Sequence, residues 1–183
     1  LGTVKDALGL GRATVDVAYE GLESAREGVQ KIKELLTSAR SPGVDRDNIQ
    51  TEIDGIITDL QNKAGASVIN EQNWLSVDVG GLADDLATRQ VVASFERNAA
   101  GVSVSTIDVT IADTTSPANG TVLIDTSGGG NGILDTTTNR ANGNAVTSLS
   151  GTTISALTDS SADMTTLDNI IADVDTALTE IIT

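Results

Sequence analysis

The chain has 183 residues, 39 % of them apolar, which is enough for one or two compact domains with a sizeable core. It carries 26 acids against 11 bases, a formal charge of −15, which repels nucleic-acid phosphates and anionic membrane surfaces. It has no cysteine and no histidine, which removes disulfides, thiol nucleophiles, thiolate metal sites and the commonest general base, so no cofactor or metal is expected.

Tyr19, Trp74, Phe95 and Met164 are each the single residue of their kind. The core must therefore come from Leu, Ile, Val and Ala, which favours repetitive packing over an aromatic-lined pocket. No apolar run approaches the ~20 residues needed to span a bilayer, and no basic start with an apolar stretch marks a signal peptide. Leu1 and Thr183 read as cut ends, so an excised, monomeric segment is expected.

The first element is the clearest. Apolar or small residues fall at Val4, Leu8, Gly11, Val15, Ala18, Leu22, Ala25, Val29, Ile32, Leu36 and Ala39, in alternating steps of four and three. That is the seam of helices packed in coiled-coil fashion, and carried to Arg40 it predicts a rod of roughly 55–60 Å. Ser41-Pro42-Gly43 breaks the helix. Asp45 or Asp47 caps a second one with Ile49, Ile53, Ile56, Leu60 and Ala64 on its seam, folded back antiparallel.

From Gly65 the character changes. Val68 to Val79 reads as a turn and a short strand, and Gln90 to Arg97 and Val102 to Ala112 as strands joined at Asn98-Ala99-Ala100-Gly101. Ile107, Val109 and Ile111 alternate with Asp108 and Thr110, which predicts one wet face. Thr121 to Asp125 is a further short strand. Ser127 to Ser161 is rich in Gly, Asn, Thr and Ser and reads as loop, with weak fragments around Val146 and Ile154. A last helix, capped by Ser161 or Asp163, places Met164, Leu167, Ile171, Val174, Leu178 and Ile181 on its seam, with acids toward its beginning. No repeat with a period of 20–50 residues is evident.

The stretch Val29-Gln30-Lys31-Ile32-Lys33-Glu34-Leu35-Leu36, followed by Ile49-Gln50-Thr51-Glu52-Ile53, resembles the amino-terminal rod helices of bacterial flagellins. Ile69-Asn70-Glu71-Gln72-Asn73-Trp74-Leu75 sits where flagellins carry a phenylalanine-asparagine-glycine turn, with Ile69 and Glu71 departing from it. The tryptophan-leucine variant is similar to flagellins of alphaproteobacteria, rhizobia among them. Val91 to Phe95, Val122 to Asp125 and Gly132-Ile133-Leu134-Asp135 resemble the middle of that subgroup, and Leu167 to Thr183 the start of the carboxy-terminal rod helix. The resemblance implies that the helices lining the filament's inner tube are absent. It also places Gln30, Lys31, Leu35 and Glu52 on the surface read by an innate immune flagellin receptor. Lysine at 31 in place of the usual arginine loses a planar bidentate donor, and the subgroup is thought to evade that receptor.

Other motifs carry bland readings. Gly128-Gly129-Gly130-Asn131-Gly132-Ile133-Leu134-Asp135 is like the calcium repeat of secreted toxins, but its aspartate is one place out of register and nothing repeats it. Gly9-Leu10-Gly11 lacks the strand and third glycine of a dinucleotide site. Asp84, Asp85 and Asp113 are carboxylates without a pocket signal. Asn119-Gly120-Thr121 is a sequon read as a turn, and Ser and Thr residues between 103 and 161 are candidates for O-linked sugars.

The expectation is an α+β protein: an elongated antiparallel helical bundle from both chain ends (1–79 and 162–183), a β-hairpin, and an inserted β- and loop-rich outer domain (80–161). The core residues expected are Val15, Leu22, Val29, Ile32, Leu36, Ile49, Ile53, Ile56, Leu60, Leu167, Ile171, Val174 and Leu178. The function expected is that of a self-assembling extracellular filament subunit without enzymatic activity, its partners being neighbouring subunits. The alternatives are a hook–filament junction protein and a surface adhesin or carbohydrate-binding module.

Overall fold

A computed structural model describes residues 2–69, 71–79, 88–99, 101–112, 121–127, 132–135 and 153–182. Asp84, Asp85, Asp113, Asn119, Gly120, residues 128–131 and Val146 lie outside them.

Helix α1 (Gly2–Ala39) is 38 residues long, a rod of about 57 Å. Nothing in it breaks helical geometry, and its buried residues, Ala18, Ala25, Val29, Ile32, Leu36 and Ala39, follow the seam rhythm. It stops at Ser41-Pro42-Gly43, where Gly43 adopts φ +74, a left-handed conformation that favours glycine.

Helix α2 (Arg46–Ala66) starts at Asp45, whose side chain accepts from the amides of Asp47 and Asn48, satisfying two of the otherwise orphaned first-turn donors. Its buried stripe is Arg46, Gln50, Ile53, Ile57, Leu60 and Ala64. Ile49 and Ile56 are half-buried against the core's margin. The seam is therefore rotated slightly from the apolar pattern, because two polar residues with partners take the places nearest the turn.

Helix α3 (Ser161–Ile182) is capped by Ser160, whose Oγ accepts from the Asp163 amide at 3.2 Å, while the Asp163 carboxylate accepts from the Thr158 amide, two residues before the cap, at 2.9 Å. The cap is thus Ser160 rather than Ser161. Leu167, Ile170, Asp173, Val174 and Ala177 are buried; Ile171 and Leu178 are half-buried.

Both shorter helices run antiparallel to α1. Leu60 stands against Gly28 and Ser67 against Gly21, seven residues forward on one helix and seven back on the other. A Cβ at Gly28 would meet Leu60 Cδ2 at 2.7 Å, so the glycine lets α1 and α2 approach closely. Val15 is a correction to the expected core: it is 41 % exposed. Ile182 of α3 reaches only as far as Tyr19, Leu22 and Arg26, with which it lines a common cavity. Val15 lies a further turn beyond Tyr19.

The β structure is small. Strands β1 (Val68–Ile69) and β2 (Gln72–Asn73) pair antiparallel, and Glu71 between them has φ +63. A non-glycine residue there costs about 1–2 kcal/mol, so Glu71→Gly is expected to raise stability by about 1 kcal/mol. Urea unfolding checks this; a lower midpoint would contradict it.

Strand β3 (Ser76–Val77) pairs parallel with β6 (Ile124–Asp125). Strands β4 (Thr88–Asn98) and β5 (Gly101–Thr110) form an antiparallel hairpin with a register shift between Val92 and Ser94. Every residue from 101 to 108 is exposed. Val102 at 65 % and Ile107 at 58 % lie on opposite faces by the strand's alternation. Over 107–111 the expected wet face is the one carrying exposed Asp108 and Thr110, with Val109 half-buried opposite; Ile107 is the exception, exposed on the other face because the ribbon there projects beyond the core. Its base returns to it, with Ile111 and Ala112 buried.

One hydrophobic cluster joins the helices to Trp74, Leu75, Val79, Ile111, Ala112, Val122, Leu123, Ile133, Leu134 and Ile154. The described residues thus form a mixed α/β fold of three helices and three two-stranded sheets, with no closed barrel among them.

Candidate functional site

The feature with the longest reach is the α1–α3 seam. Beneath it Val29, Ile32, Leu36, Leu167 and Val174 are buried essentially to zero exposure, and Leu22 is half-buried against them. Along its edge Lys33 pairs with Asp175. One heptad further on, Arg40 Nε meets Asp168 Oδ1 at 2.9 Å and its Nη2 meets Oδ2 at 3.1 Å, a bidentate fork. The two pairs step by seven in opposite directions, so they fix an antiparallel register. All four side chains are between 37 and 51 % exposed, so each pair contributes at most about 1 kcal/mol. Their effect is alignment.

A clasp closes the end of the rod. Arg46, only 8 % exposed, donates to the Ala39 carbonyl at 3.0 Å, the Leu157 carbonyl at 3.2 Å and Asp159 Oδ1 at 2.7 Å. It ties the end of α1 to the approach to α3. Gln50 adds a second tie, its Oε1 accepting from the buried Ile154 amide at 2.7 Å. The Arg46 hydrogen bond, with the Gly43 amide, holds the Asp159 carboxyl below its ordinary value. Hydrogen bonds from Thr158 and Ser160 do the same for Asp163. Neither Arg46 nor Gln50 was expected; their signal in the sequence is a four-three spacing to Ile53 and Ile57 that polar residues complete.

The junction between rod and strands centres on Asn73. Its Nδ2 donates to the Ala64 carbonyl at 2.7 Å, and its Oδ1 accepts from the Leu75 and Ser76 amides at 2.8 and 3.0 Å. One side chain thus closes α2 and opens the chain toward β3. Thr121 donates to the Trp74 carbonyl at 3.0 Å, which uses the sequon's hydroxyl in the fold. Behind it Asp135 accepts from the Gly132 and Asp125 amides at 2.8 and 2.7 Å, and Asp125 from Val79 and Ser127. Burial, helped by the neighbouring Asp125 charge, raises the Asp135 pKa against its hydrogen bonds. The fold therefore binds that proton more tightly than the unfolded chain. This contribution to stability is present below the ordinary carboxylate range and lost as pH climbs through the raised value. The carboxylates are engaged by backbone donors rather than arrayed for a cation. Among the described residues no three His, Cys, Asp or Glu side chains are placed to hold a metal, and no helix is long and apolar enough to cross a membrane.

No family model matches the chain. It is 44 % identical over 136 residues to flagellin B of Rhizobium meliloti strain 1021, covering 74 % of this chain and 32 % of that protein. Flagellin A of the same strain is 43 % identical over the same share, and flagellin C is 39 % identical over 66 % of this chain and 38 % of its own length. The chain belongs to the flagellins, of the rhizobial type. It spans about a third of the length of the curated relatives it matches.

On this flagellin, Gln30, Lys31 and Glu52 are exposed and Leu35 is half-buried. The first three present side chains on the outer faces of α1 and α2; Leu35 packs partly against the core.

Proposed function

We propose that this flagellin is a structural subunit of the flagellar filament, assembling with neighbouring copies outside the cell for motility, and that it has no enzymatic activity. The observation that carries the reading is the antiparallel seam: two segments more than a hundred residues apart are locked in heptad register by Lys33–Asp175 and Arg40–Asp168. Such a rod serves stiffness and alignment, which side-by-side packing into a polymer needs.

In this reading residues 1–79 and 162–183 form an elongated helical rod. Residues 80–161 form an outer β- and loop-rich part whose segments at 111–112, 121–125 and 132–135 dock back on the rod. The outer faces of the helices carry the contacts between subunits. Gln30, Lys31, Leu35 and Glu52 form a surface that an innate flagellin receptor meets weakly, since Lys31 supplies a point charge rather than a fork. The 183-residue chain by itself is a monomer.

Electron microscopy of the full-length polypeptide tests the function: long filaments are expected, and short caps or no polymer would contradict it. Light scattering of the 183-residue chain should give a monomer mass.

A further inference from the structure

Between α1 and the base of the β4–β5 hairpin lies a cavity of about 200 Å³. Ala7, Leu10, Gly11 and Thr14 form the α1 wall, and Trp74 with Val91 and Val92 forms the wall opposite. The walls meet at Gly11, where a Cβ would lie 2.7 Å from Val91 Cγ1. At 3.6 residues per turn, the α1 wall sits roughly a quarter turn round the helix from the exposed Leu8 and Val15.

The lining holds no charged side chain, and its polar groups have defined roles. Trp74 is 4 % exposed, and its indole Nε1 is buried with no hydrogen-bond partner among the described residues. An indole N–H can only donate, and a buried donor left unpaired is the costly case. Thr14 Oγ1 donates its proton to the Leu10 carbonyl at 3.0 Å, so toward the cavity it can only accept. Gln72 and Gln90, both exposed, complete the lining with neutral amides.

We infer that this cavity is a binding site for a compact neutral alcohol. Its hydroxyl accepts from the Trp74 indole and donates to Thr14, and its ring or branched apolar body packs against Ala7, Leu10, Val91 and Val92. The size fits, since an apolar cavity of about 150 Å³ takes a benzene ring. A charged ligand would lose its hydration with no counter-charge to meet it. Water supplies the same hydroxyl chemistry, but only an organic body removes the apolar walls from solvent. The site is independent of the filament reading, because it needs only the packing of Trp74 and β4 on α1.

Cyclohexanol is the probe for the test. Trp74 is the single tryptophan of the chain, so a proton–nitrogen correlation spectrum holds one indole N–H signal. Titration of the 183-residue chain should move that signal downfield to saturation, with a Kd on the order of 1 mM for so small a ligand. Cyclohexylammonium, the same ring with a charge, should bind at least about tenfold more weakly. Thr14→Val should weaken cyclohexanol about fivefold. Ala7→Met, which extends a flexible side chain into the cavity, should abolish saturation while the thermal melt stays within a few degrees. Should Ala7→Met unfold the chain instead, the Thr14→Val titration decides alone, and an unchanged Kd there would overturn the site. A shift that grows without saturating, an equal response to alcohol and ammonium, or an indole signal that water already holds and neither probe moves would overturn it as well.

Discussion

Ile32→Asp is expected to lower the melting temperature by roughly 10–15 °C, through a loss of about 3–5 kcal/mol. Ile32 has no solvent exposure and belongs to the cluster that joins all three helices. A carboxylate there would be buried among aliphatic side chains without a partner, which is the costly case for a charge. Total stabilities of 5–15 kcal/mol make such a loss a large fraction of the whole. Val15→Asp supplies the contrast. At 41 % exposure its charge stays solvated, and the melt should move by no more than a few degrees. Circular dichroism at 222 nm reads both, and an unchanged Ile32→Asp melt would refute the placement of that residue.

Arg46→Ala is expected to cost about 3 kcal/mol. The buried guanidinium leaves behind two backbone carbonyls, those of Ala39 and Leu157, and both lose a charged donor. The variant should also alter the acid limb of stability. In the folded chain the Asp159 carboxyl lies below its ordinary value of 3.8, chiefly through Arg46. The unfolded chain therefore binds that proton more tightly. The associated stability is complete above the unfolded value and disappears as pH falls through the depressed one. Thermal melts between pH 7 and pH 3 should show a shallower acid loss in Arg46→Ala than in the parent, with the Asp163 contribution persisting in both. An equal loss in the two proteins would remove Arg46 from this role.

Much of the rod is legible in the sequence because its signal is local. The four-three rhythm from Ala18 to Ala39 is almost wholly apolar or small, and it maps directly onto the buried face of α1. The seams of α2 and α3 are less legible, since Arg46, Gln50 and Asp173 are buried polar residues that an apolar count passes over. Ile57, Ile170 and Ala177 accordingly take the buried places that Ile56, Ile171 and Leu178 were expected to hold. At the near end of α1 the rhythm persists while burial does not, because a pattern records what a face could bury and not whether a partner is there.

The strand region depends on distant bonds. Gly132-Ile133-Leu134-Asp135 has the composition of a loop, yet the Ile133 and Leu134 amides donate to the Val122 and Leu123 carbonyls at 3.0 Å. A Cβ at Gly132 would lie 2.5 Å from the Leu123 carbonyl oxygen, so glycine is what admits the close approach. The edge pairs Lys33–Asp175 and Arg40–Asp168 join residues 142 and 128 positions apart. No local pattern selects those partners; only the docked helices do.

The absence of native cysteine makes thiol cross-linking a clean test of the antiparallel seam. In the double variant Arg40→Cys with Asp168→Cys, whose parent side chains are about half exposed and in contact, a short bis-maleimide, which spans the gap that a direct disulfide would not, should produce a monomeric, internally bridged chain in high yield. The mismatched pair Arg40→Cys with Asp175→Cys, one heptad out of register, should stay unbridged under the same conditions. Bridging of the mismatched pair, or cross-linking only between molecules, would show that α1 and α3 are not held in this register.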